Sequence, residues 1–150
     1  GDVVSAVMAQ QPTTAIDFDA RIKAVTAFKQ MEDAADLVAA NKRVANILSK
    51  NDIDVNALPT IDSSLFSEDA EKALFLALQS AETRLASLIA EFAYDELLAS
   101  LTVLKTPLND FFDDVMIMAD DETVKSNRVA LVGKARQLFL SVADVSVLAV

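Results

Sequence analysis

Within residues 40–50, Lys42, Arg43, Asn46 and Lys50 recur at steps of one, three and four residues. On a 3.6-residue period Arg43, Asn46 and Lys50 share one helical face with Lys42 at its flank, and Leu37, Val44 and Leu48 line the other. Cations beside a side-chain amide make a donor set that can hold phosphate oxygens and hydrogen-bond the edges of unpaired bases. An ordinary solvated face carries the same pattern. Asn41 falls on the apolar stripe and is expected to be a buried, satisfied amide that ties helices together. Further along, Lys125, Lys134 and Arg136 are expected to face solvent, with Lys125 and Arg136 a second set of polyanion contacts. Asn127 precedes Arg128, which lies on the line of Val124, Leu131, Ala135 and Leu138, so its stem is expected to be buried and its guanidinium paired to Asp113 or Asp114.

Other chemistry is excluded or weak. Cys and His are absent, which removes thiol nucleophiles, Ser-His-Asp relays and the usual zinc ligands. Gly1 and Gly133 are the only glycines, so no glycine-rich phosphate loop can form. Asp113-Asp114 and Asp120-Asp121-Glu122 supply carboxylates for a divalent metal, but Asp121-Glu122 suits a helix N-terminus and nothing follows the pattern of a calcium loop. The reading is therefore no metal site and no catalytic residues. Phe111, Phe112, Met116 and Met118 could stack splayed bases, with the hydrophobic core as their default place.

The elements that position these residues are helices. Apolar residues recur at three- and four-residue steps almost throughout, and three prolines with two glycines leave too little turn chemistry for a sandwich or barrel. Val3, Val4, Val7 and Met8 mark a first helix, ended by Gln11-Pro12 and followed by the capping residues Thr13-Thr14. A second, capped by Asp17, carries Phe18, Ile22, Val25 and Phe28; a third runs to about Lys50. Residues 51–64 read as the longest loop. Further helices start at Ser67-Glu68-Asp69, at Tyr94 and near Pro107, and the last runs from Asp120-Asp121-Glu122 through Val142. The expectation is an all-α, single bundle of about six to eight helices filling residues 1–150. Uninterrupted apolar runs such as 73–78 are far short of the roughly 20 residues of a membrane span. Without a signal segment, the location expected is cytoplasmic.

The formal charge is −10, but it is uneven: residues 21–50 and 123–150 each carry +3, whereas residues 51–122 carry −13. Two helices are locally basic within an acidic chain.

Three blocks resemble the C-terminal region of the beta subunit of bacterial glycyl-tRNA synthetase. They are Ala39-Ala40-Asn41-Lys42-Arg43-Val44-Ala45-Asn46-Ile47-Leu48, then Phe111-Phe112-Asp113-Asp114-Val115-Met116-Ile117-Met118, then Asn127-Arg128-Val129-Ala130-Leu131-Val132 leading to Phe139-Leu140-Ser141-Val142-Ala143-Asp144. Their order and spacing also match. With no Met at Gly1, the chain is expected to be the C-terminal piece of a longer subunit.

The resemblance implies a DALR-type anticodon-binding domain, named for an Asp-Ala-Leu-Arg motif. Here the matching stretch reads Glu122-Thr123-Val124-Lys125, in which Lys lacks the bidentate fork of Arg. It further implies that this piece binds the anticodon of glycine tRNA and catalyses nothing, with no cofactor of its own, and that ATP is used by the alpha subunit of the parent enzyme. Partners expected are that tRNA, the alpha subunit and the remaining beta-subunit domains, with no DNA and no membrane. Lys42, Arg43, Asn46 and Lys50 are the first RNA-binding candidates, Lys125 and Arg136 the second, and Asn41, Asn127 and Arg128 are structural or RNA-binding. The acidic stretch 51–122 is expected to face away from RNA. A second reading is a helical scaffold domain that packs against the rest of its synthetase and has little RNA affinity.

Overall fold

The helical spacing closes into eight α-helices and three short 3-10 turns in a computed structural model, which describes residues 1–12 and 14–150. No strand occurs among the described residues. The helices are α1 (Asp2–Met8), α2 (Ala15–Lys29), α3 (Ala34–Lys50), α4 (Asp69–Glu82), α5 (Leu85–Ala90), α6 (Tyr94–Leu101), α7 (Lys105–Asp114) and α8 (Glu122–Leu140). No helix is long and apolar enough to cross a membrane.

Helix starts are set by side-chain caps. Thr14 caps α2 by accepting the Asp17 N–H at 3.0 Å, and Asp121 caps α8 by accepting from Thr123 and Val124. Thr13, also expected to cap, lies outside the described residues. Asp17 is not the cap of α2: it is buried in the first turn, where it accepts from the Tyr94 hydroxyl and from Arg21 Nε at 3.0 Å. Arg21 also stacks 4.4 Å from the Tyr94 ring centroid and donates to the carbonyls of Ser141 and Val142, so it satisfies the C-terminal end of α8. α1 buries Ala6 and Val7 and leaves Val4 and Met8 exposed, a rotation of its expected face.

The core is organised around α8, which packs against α3, α4 and α6. Because neighbours surround it, Asn127, Arg128 and Arg136 are buried along with its apolar residues. Residues 51–64 do form a loop, but one laid along α8 up to the 3-10 turn Ser63–Leu65. Gln137 Nε2 donates to the Val55 carbonyl at 3.1 Å, and Asn127 exchanges two hydrogen bonds with the backbone of Asp62, at 2.7 and 3.0 Å. Between them Leu58 lies over Gly133, where an added Cβ would stand 2.7 Å from Leu58 Cδ2.

The ends of the chain meet. Asp144 N–H donates to the Ala6 carbonyl at 2.9 Å, and the Asp2 carboxylate accepts from the Ala149 N–H at 3.0 Å and from Lys29 Nζ at 2.6 Å. The Lys29 and Ala149 bonds hold the Asp2 carboxyl at about 2, below its ordinary 3.8. Burial raises that of Asp144, but hydrogen bonds from Ser146 and Arg136 outweigh it and keep it low. Both folded values lie below the unfolded one, so the unfolded chain binds more protons in this window and stability rises with pH across it. Stability is expected to be level above about pH 5 and to fall as pH drops through 4 towards 2. Urea denaturation at stepped pH checks this, and Asp2→Asn should flatten the dependence.

Candidate nucleic-acid interface

α3 has the two faces that its spacing implies. Leu37, Val38, Val44 and Leu48 are buried, while Lys42, Arg43, Asn46 and Lys50 are all exposed within an arc of about 100°. Asn41 is 2 % exposed; its Nδ2 donates to the Leu37 carbonyl at 2.8 Å and its Oδ1 accepts from Arg136 at 3.4 Å, so it ties α3 to α8 as expected.

Charge pairing separates these cations from the rest. Among the described residues, Arg21, Lys23, Lys29, Arg84, Lys105, Arg128, Lys134 and Arg136 each form an ion pair. Lys42, Arg43, Lys50, Lys72 and Lys125 do not, and three of these five stand together on α3. That face therefore holds positive charge that no internal carboxylate neutralises.

The second candidate set is not on this surface. Arg136 is buried, donating to Asp144 at 3.1 Å and to Asn41, because α8 has neighbours on every side. Lys134 is half-buried between Glu82 and Gln137. Lys125 is half-buried at the start of α8 with no ion pair. Asn127 is committed to the loop backbone at Asp62.

Arg128 is buried and paired, but to neither Asp113 nor Asp114, which are exposed on α7. Its Nη2 reaches Glu71 at 3.3 Å and Ser67 Oγ at 3.1 Å, and its Nη1 donates to the Met116 carbonyl at 2.7 Å. Glu71 is fully buried; it also accepts from the N–H groups of Ser67 and Glu68, capping α4. The choice of Glu71 rests on α4 packing against α8, which no local spacing reveals.

Beside the cationic face lies the end of α7 and the segment after it. The Arg43 guanidinium stacks over the half-buried Phe112 ring, 4.3 Å from its centroid. Phe111 is core, but the methionines are not: Met116 is 70 % exposed and Met118 44 %. Val115 leaves the helix in an extended conformation, and Val115 and Ile117 turn inward, so the intervening methionines turn outward. An all-apolar run hides that two-residue period, and this is why the core default fails there. Asn51, at the end of α3, was missed: its Nδ2 lies 3.8 Å from Met118 Sδ and 2.7 Å from the Ile47 carbonyl. The position of α7 also corrects the acidic stretch, since exposed Asp113 and Asp114 border this surface instead of facing away.

Glu122 and Thr123, in the stretch compared with the family motif, form the first turn of α8. They line an open depression of about 410 Å³ with Thr60, Asp62, Ser126 and Asn127, whose two carboxylates do not suit phosphate. Among the described residues no carboxylates gather in a metal-holding group.

The pattern of the DALR anticodon binding domain matches residues 37–145. The glycine–tRNA ligase beta subunit of Alteromonas mediterranea is 49 % identical over 148 residues, which are 99 % of this chain and 21 % of that protein. The proteins of the same description from Pseudoalteromonas translucida and Vibrio cholerae are each 48 % identical over 147 residues, 98 % of this chain and 21 % of theirs. The chain thus spans about a fifth of the length of these relatives.

Proposed function

The chain belongs to the DALR anticodon binding domain family, and from that membership we propose that it recognises the anticodon of glycine tRNA for a glycyl-tRNA synthetase. The observation that supports the site is the gathering of Lys42, Arg43 and Lys50, free of ion pairs, around Asn46 on the exposed face of α3. Anticodon bases are unpaired and can be splayed outward, so Asn46 and Arg43 can meet their edges while Lys42 and Lys50 hold phosphates. Buried Asn41 and Arg136 support that face from beneath through their mutual hydrogen bond.

In this reading the chain is the C-terminal recognition piece of a beta subunit, acting in the cytoplasm and catalysing nothing itself. Glycine activation with ATP belongs to the alpha subunit, and the remaining beta-subunit domains and that subunit are its protein partners. Contact with those partners at another face is favoured by Val4 and Met8, exposed one turn apart on α1 at 45 % and 53 %.

The test is binding of the chain to the anticodon stem-loop of glycine tRNA and to the same stem-loop with its anticodon replaced. The native loop should bind more tightly by about 1–3 kcal/mol for each base read. Equal affinity for the two would overturn the reading.

A further inference from the structure

We propose that Met116 and Met118, together with the Arg43 guanidinium on Phe112, form a stacking platform for unpaired nucleobases of the RNA whose phosphates α3 holds. This rests on the anticodon reading and adds to it the place where the bases lie. Three observations carry it.

The first is exposure without internal cause. Val115 and Ile117, at 6 % and 8 % exposure, pin the segment into the core, so Met116 and Met118 are held out in water by their neighbours' burial. The Met116 backbone is fixed as well, because the buried Arg128 takes its carbonyl at 2.7 Å. Two thioether chains displayed on an anchored backbone are a soft, polarisable surface that adapts to flat partners.

The second is the layering at Arg43. Its guanidinium covers one ring at 4.3 Å and has no carboxylate partner, so the plane's outer side is available to a second flat group. A base laid there completes a Phe112–Arg43–base stack, with Asn51 and Met118 continuing the surface along the end of α3. Stacking of this kind tolerates any base, because each has a π face.

The third is charge. An apolar surface alone would suit a protein helix equally well, but this one adjoins Lys42, Arg43 and Lys50 on one side and exposed Asp113 and Asp114 on the other. A polyanion backbone is drawn to the α3 edge and repelled from the α7 edge. The strand is thereby oriented with phosphates over α3 and bases over residues 112–118. Carboxylates at that outer edge can accept from base amino groups.

The experiment compares the chain with its Met116→Ala/Met118→Ala variant, using fluorescence anisotropy on the glycine tRNA anticodon stem-loop and on the same loop made abasic at the anticodon. Both side chains are exposed, so the variant should keep the wild-type Tm, which is measured alongside. The native loop is expected to bind the variant about 10-fold more weakly, the scale of one lost stacked base. The salt dependence should be unchanged, since no phosphate contact is removed, and the abasic loop should bind both proteins equally. If the variant binds the native loop as the wild type does, while the wild type still discriminates the native anticodon from a replaced one, the platform is overturned and the anticodon reading stands. If the wild type shows no such discrimination, both fall.

Discussion

Arg128→Ala is expected to destabilise the fold by about 3–5 kcal/mol, the cost of breaking a buried ion pair from one side. The side chains of Arg128 and Glu71 are 9 % and 0 % exposed, and the substitution strands a carboxylate with no route to solvent. Glu71 would keep its hydrogen bonds from Ser67 and Glu68, but not its cation. The Met116 carbonyl and Ser67 Oγ would lose a donor in the same step. The pair itself is imperfectly satisfied: Glu71 Oε2 and Arg128 Nε have no partner among the described residues. Neutralising both ends should therefore cost much less than removing one. Glu71→Gln/Arg128→Met retains an acceptor for the α4 cap and an unbranched chain of similar reach, and is expected to recover at least half of the loss. Urea denaturation of the two single variants and the double closes the cycle. Strict additivity would show that Arg128 acts through packing of its stem alone.

The largest expected effect on binding is that of Lys42→Ala/Arg43→Ala/Lys50→Ala, and it should appear in the salt dependence. Each phosphate contact on single-stranded RNA adds about 0.7 to the slope of log affinity against log salt, so three lost contacts lower that slope by about 2. Between 50 and 200 mM salt the wild type should then lose roughly 20-fold more affinity for the anticodon stem-loop than the variant does. At low salt the wild type should bind far more tightly, with the difference shrinking as salt rises. None of the three side chains has an internal ion pair, so the fold should change by no more than about 0.5 kcal/mol apart from the Arg43–Phe112 stack. Parallel salt slopes for the two proteins would remove α3 from the phosphate-binding role.

α3 was legible because it is amphipathic in the simplest sense, with core on one side and water on the other. Its spacing alone puts Leu37, Val44 and Leu48 inside, Lys42, Arg43, Asn46 and Lys50 outside, and Asn41 among the buried residues, and each is where the structure has it. α8 was legible in extent but not in orientation. A helix enclosed by other elements has no solvent face, so the period that exposes a lysine on α3 says nothing about Arg136. What a buried cation there pairs with is decided by which helices pack together. Arg128 finds Glu71, 57 residues away, because α4 lies against α8, while the sequence-adjacent candidates Asp113 and Asp114 point to water. The methionines failed for a different reason: four apolar residues in a row look alike whether the backbone is helical and buried or extended and half-displayed. The site was thus readable in its charges, which periodicity sorts, and unreadable in its apolar half, which depends on where α7 ends.

The meeting of the two ends has a kinetic consequence. The hydrogen bond from Ala149 to Asp2 joins residues 147 positions apart, so it closes nearly the longest loop that this chain can make. Loop-closure entropy grows with that span, and nothing local repays it before the intervening helices have condensed. Docking of α1 against the C-terminal tail is therefore a late event in folding, and contacts made late mainly govern how fast the chain comes apart. The same carboxylate that binds both ends thus acts as a brake on unfolding, released when acid protonates it.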